Sequence, residues 1–124
     1  PFVDGWDKAG QWLEWKFNVA AAGNYTITQR YIGPIYTSQM ESPADITVKP
    51  RQYELNGSVV RGLEAYMAPG LNDDWKVSAQ RDWQETTLPA TVHLKAGLNV
   101  LRITSLANGP LTLYELRFTP AKNP

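Results

Sequence analysis

The chain has 124 residues, the size of one domain, with a core large enough to need no covalent staples. Twelve Lys and Arg balance twelve Asp and Glu, so no net field draws in a phosphate backbone or an anionic membrane. Cysteine is absent and His93 is the single histidine, which excludes disulfides, zinc–thiolate centres, thiol nucleophiles and sites built on several imidazoles. No apolar run approaches the roughly 20 residues that span a bilayer. Five Trp and six Tyr beside three Phe over-supply rings with one apolar face and one wet end, the type that serves interfaces and ligand platforms. The chain starts at Pro1 with neither Met nor a leader and reads as an excised domain or mature fragment.

In chain order the pattern is strand, turn, strand. Leu13, Trp15, Phe17 and Val19 alternate with Glu14, Lys16 and Asn18, a period of two that predicts a strand with one buried face. Gly23-Asn24 turns the chain into a second strand carrying Tyr25, Ile27 and Tyr31 on one side, so the two form a hairpin. Residues 33 to 42 carry no period and predict a loop of some ten residues. Ile46 and Val48 open another strand, interrupted by Pro50. Asn56-Gly57, between Leu55 and Val59, then gives the strongest hairpin signal in the chain, because both residues tolerate positive φ. Residues 66 to 81 are again aperiodic and predict a long loop, with a short strand near Trp75 to Val77. Val92 and Leu94 precede the turn Lys95-Ala96-Gly97, and Leu98, Val100, Leu101 and Ile103 follow it. Asn108-Gly109-Pro110 turns into the closing strand with Leu111, Leu113, Leu116 and Phe118. No segment has a helical stripe of useful length. Eight or nine short strands at this spacing predict an all-β sandwich over residues 1–120, with 121–124 as the start of a linker or tail.

Three pieces together resemble a known family. They are Gln11-Trp12-Leu13-Glu14-Trp15-Lys16-Phe17-Asn18-Val19 leading through Gly23-Asn24-Tyr25 to Arg30-Tyr31; Leu55-Asn56-Gly57; and Leu94-Lys95-Ala96-Gly97-Leu98-Asn99-Val100-Leu101-Arg102 before Leu111 to Phe118. This order resembles the carbohydrate-binding modules of families 6 and 35 among the galactose-binding-like sandwiches, over most of residues 11 to 118. The resemblance implies a jelly-roll β-sandwich of two antiparallel sheets, secreted as part of a polysaccharide-degrading enzyme. It implies sugar held in loops at one end of the sandwich, or on a concave face in some members. Tyr36 and Trp83 match the positions of two family aromatics. The final strand departs from the family pattern, reading Leu111-Thr112-Leu113-Tyr114 where an Asn is expected, which leaves that role to Asn108. The acidic N-terminal strand that holds a structural calcium in many members is not visible before Trp6. Similar sandwiches at the C-termini of fucosidases and sulfatases share the pattern without demonstrated sugar contacts.

A sugar ring presents an apolar C–H face to a flat aromatic and equatorial hydroxyls to amides, carboxylates and guanidinium groups. Trp15, Tyr25 and Tyr31 lie on strands beside polar neighbours and read as core. Trp12 falls on the opposite face of its strand from Trp15, to pack under a loop or line the outer face. Trp83, Trp75 and Tyr36 sit in loops bounded by polar residues and are the expected platforms, with Asn108, Asp74 and Tyr66 as polar partners. The bland alternative is that the rings seal the end of the sandwich. Asn72-Asp73-Asp74 offers oxygen ligands to a calcium ion and equally reads as a solvated turn, so no cofactor is required and the metal question stays open. The carboxylates Asp73, Asp74, Asp82 and Glu85 lie close in sequence, but 124 residues leave little room for a catalytic cleft beside a complete sandwich. The expectation is a non-catalytic module that binds polysaccharide and tethers a catalytic domain of the same parent chain. The alternative is an accessory domain that packs on that neighbour without binding sugar.

Overall fold

The computed structural model describes residues 3–33, 48–69 and 84–121, the side chains of 3–5 excepted. Eight strands are described: β1 (Val3–Trp6), β2 (Trp12–Val19), β3 (Gly23–Ile32), β4 (Arg51–Leu55), β5 (Ser58–Val59), β6 (Gln84–Leu94), β7 (Gly97–Ser105) and β8 (Leu111–Pro120). They form two four-stranded sheets, β1-β8-β3-β6 and β2-β7-β4-β5, every pairing antiparallel. The architecture is the all-β sandwich expected from the alternation, with no helix among the described residues. Period two decides the layers. Ile27 and Tyr31 of β3, Leu88, Val92 and Leu94 of β6, Leu101 and Ile103 of β7 and Leu111 and Leu113 of β8 are all buried between the sheets.

The Asn-Gly hairpin forms as its sequence requires. Asn56 has φ 50° and Gly57 φ 88°, the pair of left-handed residues that lets a two-residue turn match the strand twist. Asn56 also serves the neighbouring strand: its Oδ1 accepts from the Val100 amide at 2.8 Å and its Nδ2 donates to Asn99 Oδ1 at 3.0 Å. Asn99 is fully buried, and its side chain also donates to Lys95 O and Gly97 O inside the β6–β7 turn. Two amides thus tie the β4–β5 and β6–β7 turns together at one end of the sandwich. That end also holds the β2–β3 turn, where the Tyr25 hydroxyl donates to Ala21 O.

Three sequence expectations are adjusted. β2 and β3, expected to form a hairpin, lie in different sheets, β2 pairing with β7 and β3 with β6 and β8, so Gly23-Asn24 carries the chain from one layer to the other. Trp6 closes β1 and is buried, its indole N–H donating to Gln11 O at 3.1 Å. Val48 is buried but precedes the next strand, which begins at Arg51 beyond Pro50. The strand ending at Leu94 begins at Gln84, ten residues back: Pro89 and three threonines conceal its alternation, and pairing along β3 holds it. The short strand expected near Trp75 lies outside the described residues.

Candidate functional site

Chain direction collects the connections with site potential at the end opposite the two amide-linked turns. β3 ends there at Ile32, β6 starts opposite it with Tyr31 paired to Gln84, and β8 starts with Ile32 paired to Thr112. Tyr31 organises this junction. It is fully buried, and its hydroxyl donates to Pro69 O at 2.7 Å. The segment 70–83 therefore leaves beside Tyr31 and rejoins the sheet opposite Tyr31. The segment 34–47 is bracketed as tightly: a Cβ on Gly33 would meet Val48 Cγ2 at 2.8 Å, so this close approach requires glycine. Trp83, Trp75, Tyr36 and Asp74 belong to these two segments and lie outside the described residues.

The other two expected site residues are placed. Asn108 is exposed in the β7–β8 turn, and its Oδ1 accepts from the Ala9 amide at 2.8 Å. Together with the bond from Gly109 N to Asp7 O, it sews that turn to the β1–β2 turn. Tyr66 is half-buried, bridged through its backbone to Arg51, and meets the Tyr53 ring edge-on at 6.1 Å between centroids. Both sit at the loop end, and both already have structural work.

Beneath these turns lies Arg51, 2% exposed, on the first residue of β4. Its guanidinium donates to Lys49 O (2.9 Å), Trp6 O (3.2 Å) and Gly109 O (3.0 Å) and stacks on the Trp6 ring at 4.4 Å. Burial pulls its pKa down to about 10, with the nearby Tyr53 acting weakly the other way. Its planar fork reaches carbonyls on three chain segments, which a lysine ammonium could not do. Tyr53 bridges the sheets below, donating to Gln29 Oε1 at 2.6 Å, and burial raises the pKa of its phenol. Burial likewise pushes Tyr31 up to about 12.

The second candidate surface is the outer face of the sheet β2-β7-β4-β5. Register aligns Trp12, Thr104 and Gln52 in one row, and Glu14, Arg102 and Glu54 in the next. Trp12 is 51% exposed. Arg102 lies over its ring at 4.0 Å and is itself held by Glu14 Oε2, which accepts from Nε at 3.1 Å and Nη2 at 2.9 Å. A flat indole, a fixed guanidinium and a carboxylate thus share one exposed surface, the complement of a pyranose with its C–H face and hydroxyls. Trp12 was legible as an outward residue from its parity with Glu14 and Lys16. Arg102 was not, because only the β2–β7 register brings it over the ring.

Among the described residues no three His, Asp or Glu side chains come together to hold a metal ion. His93 is exposed, as its alternation implied, with Nδ1 3.1 Å from Asn24 Oδ1. Among the described residues its hydrogen-bond partner is this amide, not an acid or a nucleophile.

No protein-family model matches the chain, and no curated protein matches it in sequence. Solved structures match its fold. A β-(1,4)-mannanase from Podospora anserina that joins a family 26 glycoside hydrolase to a family 35 carbohydrate-binding module superposes with a TM-score of 0.67 at 19% identity, over 99% of this chain and 22% of that one. A family 35 carbohydrate-binding module from an environmental isolate gives 0.65 at 23% identity, over 99% of this chain and 79% of that one. The C-terminal family 6 module of a marine laminarinase from Zobellia galactanivorans gives 0.60 at 18% identity, over 93% and 77%. The chain therefore spans about a fifth of the mannanase and most of each isolated module. Its fold is that of the family 35 and family 6 carbohydrate-binding modules, as the sequence resemblance implied.

Proposed function

We propose that the chain is a non-catalytic carbohydrate-binding module that tethers a glycoside hydrolase or polysaccharide lyase of the same secreted parent protein to its polysaccharide. The observation that carries the reading is Trp12: a half-exposed indole backed by an ion-paired guanidinium, on a fold shared with modules of that kind. Covering about 60 Å² of apolar sugar face contributes on the order of 1.5 kcal/mol. One or two platforms with a few hydrogen bonds then give affinities in roughly the millimolar to micromolar range. That suffices for a tether, whose work is to raise the local concentration of a catalytic partner. Trp83, Trp75 and Tyr36, with Asn108, Asp74 and Tyr66, form a second proposed surface at the loop end. The same loops and the Asn72-Asp73-Asp74 cluster are where a structural calcium would bind.

Affinity electrophoresis against a panel of plant, algal and microbial polysaccharides tests the reading. At least one polysaccharide retards the wild-type chain, and Trp12→Ala or Trp83→Ala weakens that retardation about 10-fold or more. Mobility unchanged across the whole panel would reject sugar binding in favour of a domain that packs on its neighbour. Release of reducing ends or unsaturated products by the pure chain would make it an enzyme instead.

A further inference from the structure

Two Asn-x-Ser/Thr sequons stand in the chain, Asn24-Tyr25-Thr26 and Asn56-Gly57-Ser58, the acceptor pattern for N-linked glycans in a eukaryotic secretory pathway. The transferase meets a chain before it folds, so the fold decides which product it can accept. The two asparagines differ in what their amides already do there.

Asn24 is exposed, the second residue of β3, and is register-paired with His93 of β6. Its Oδ1 lies 3.1 Å from His93 Nδ1, while its Nδ2 has no hydrogen-bond partner among the described residues. N-glycosylation replaces one hydrogen on Nδ2 and leaves the carbonyl oxygen in place, so the His93 contact survives the change. Asn24 also lines a groove of about 410 Å³, whose walls at Ala21, Ala22 and Ala121 are small.

Asn56 is committed on both edges. Its Oδ1 accepts from the Val100 amide at 2.8 Å and its Nδ2 donates to Oδ1 of the fully buried Asn99 at 3.0 Å. The same Asn99 oxygen accepts from the Lys95 amide, so this grip joins two turns. A sugar on Asn56 Nδ2 would set a pyranose ring against a buried amide, in the joint that holds this end of the sandwich together. We propose that Asn24 is an N-glycosylation site of this chain and that Asn56, its sequon notwithstanding, is not.

In the transfer, Nδ2 of Asn24 bonds to C1 of a lipid-linked oligosaccharide diphosphate. The C1–O bond breaks, the lipid diphosphate leaves with its electron pair, and one amide proton passes to a base of the transferase. On the folded chain the glycan stands at the amide-linked end. Eight residues of β3, at roughly 3.4 Å each, place Asn24 about 27 Å from Ile32 at the loop end. The proposed sugar-binding surfaces therefore stay clear of it. The assignment rests on the secretion in the proposed reading and not on its sugar binding.

Expression of the chain behind a secretion leader in a yeast, with intact-mass spectrometry of the secreted product, tests it. The wild-type chain carries one N-glycan above its 13.9 kDa, and the amidase that strips the glycan converts Asn24 to an aspartate. Thr26→Val, which breaks the first sequon, abolishes the added mass. Ser58→Ala, which breaks the second and leaves the Asn56 amide as it is, retains it. Circular dichroism confirms that both variants are folded. A wild-type chain secreted at 13.9 kDa from cells that glycosylate a reporter sequon overturns the proposal. So does a glycan that persists in Thr26→Val, or a second one lost in Ser58→Ala, because either puts sugar on Asn56. No polysaccharide enters the measurement, so a failure of the sugar-binding reading leaves this result standing.

Discussion

At the scale of single residues, Arg51 shows that a buried charge in this fold works as a connector. Three backbone carbonyls accept from it, and removing the guanidinium takes this shared donor from all three at once. Replacing Arg51 by Met relieves the desolvation of the charge but loses those bonds and the stacking on Trp6. Arg51→Met is therefore expected to cost about 2–3 kcal/mol by denaturant unfolding, and Arg51→Lys a similar amount. Tyr31 and Tyr53 predict an alkaline limit. Their phenols titrate higher in the fold than the usual 10, so above pH 10 the unfolded chain sheds protons that the native chain keeps, and stability falls. Arg51, lowered to about 10, acts in the opposite sense over the same range, which leaves about one tyrosine of net loss. Stability is thus expected to be lost as pH climbs from 10 toward 12, with tyrosinate absorbance from these two rings appearing only together with unfolding. Tyr31→Phe removes part of that slope. At this scale the sequence was uneven. It marked Tyr31 and Trp15 as inward and Trp12 as outward by parity alone, but nothing beside Arg51 in sequence announced a buried guanidinium, since its acceptors come from residues 6, 49 and 109.

At the scale of elements, turn chemistry explains why some strands were legible and others were not. The turns at Gly23-Asn24, Asn56-Gly57 and Ala96-Gly97 announce themselves because positive φ admits few residues, although only Asn56-Gly57 joins paired strands and the other two cross between the sheets. β6 gave no such signal over its first half, where Glu85-Thr86-Thr87 alternates weakly and Pro89 argues against a strand; as an edge strand it tolerates the missing amide. Asn99 shows what the Ala-Gly-x-Asn pattern is for: its amide closes one turn and grips the next. Asn99→Leu strands several partners at once and is expected to destabilise by about 3 kcal/mol. Asn56→Ala loses two side-chain bonds and the residue best suited to its left-handed backbone, costing about 2 kcal/mol. Both values are read from urea midpoints, and neither change alters sugar affinity, because both residues lie at the end away from the proposed surfaces. Trp12→Ala does the reverse, sparing stability to within about 1 kcal/mol while weakening sugar binding.

At the scale of the molecule, the first strand pairs with the last and the second with the seventh, so little of either sheet can form before distant parts of the chain meet. Refolding is therefore expected on the millisecond-to-second scale, measurable by stopped-flow tryptophan fluorescence, and a microsecond phase carrying the full amplitude would contradict that topology. The fold class was readable because period two and turn residues act locally. The candidate surfaces were readable only in part, because a loop aromatic looks alike in sequence whether it seals an end or faces solvent, and Trp12 acquires its setting from β7. Both connections that carry the loop aromatics begin and end against a single buried phenol, Tyr31, and against the Gly33–Val48 contact. Each is in effect a cassette with fixed terminals. Exchanging its contents is expected to leave the strand register as it is, so foreign inserts can be grafted between these terminals one at a time.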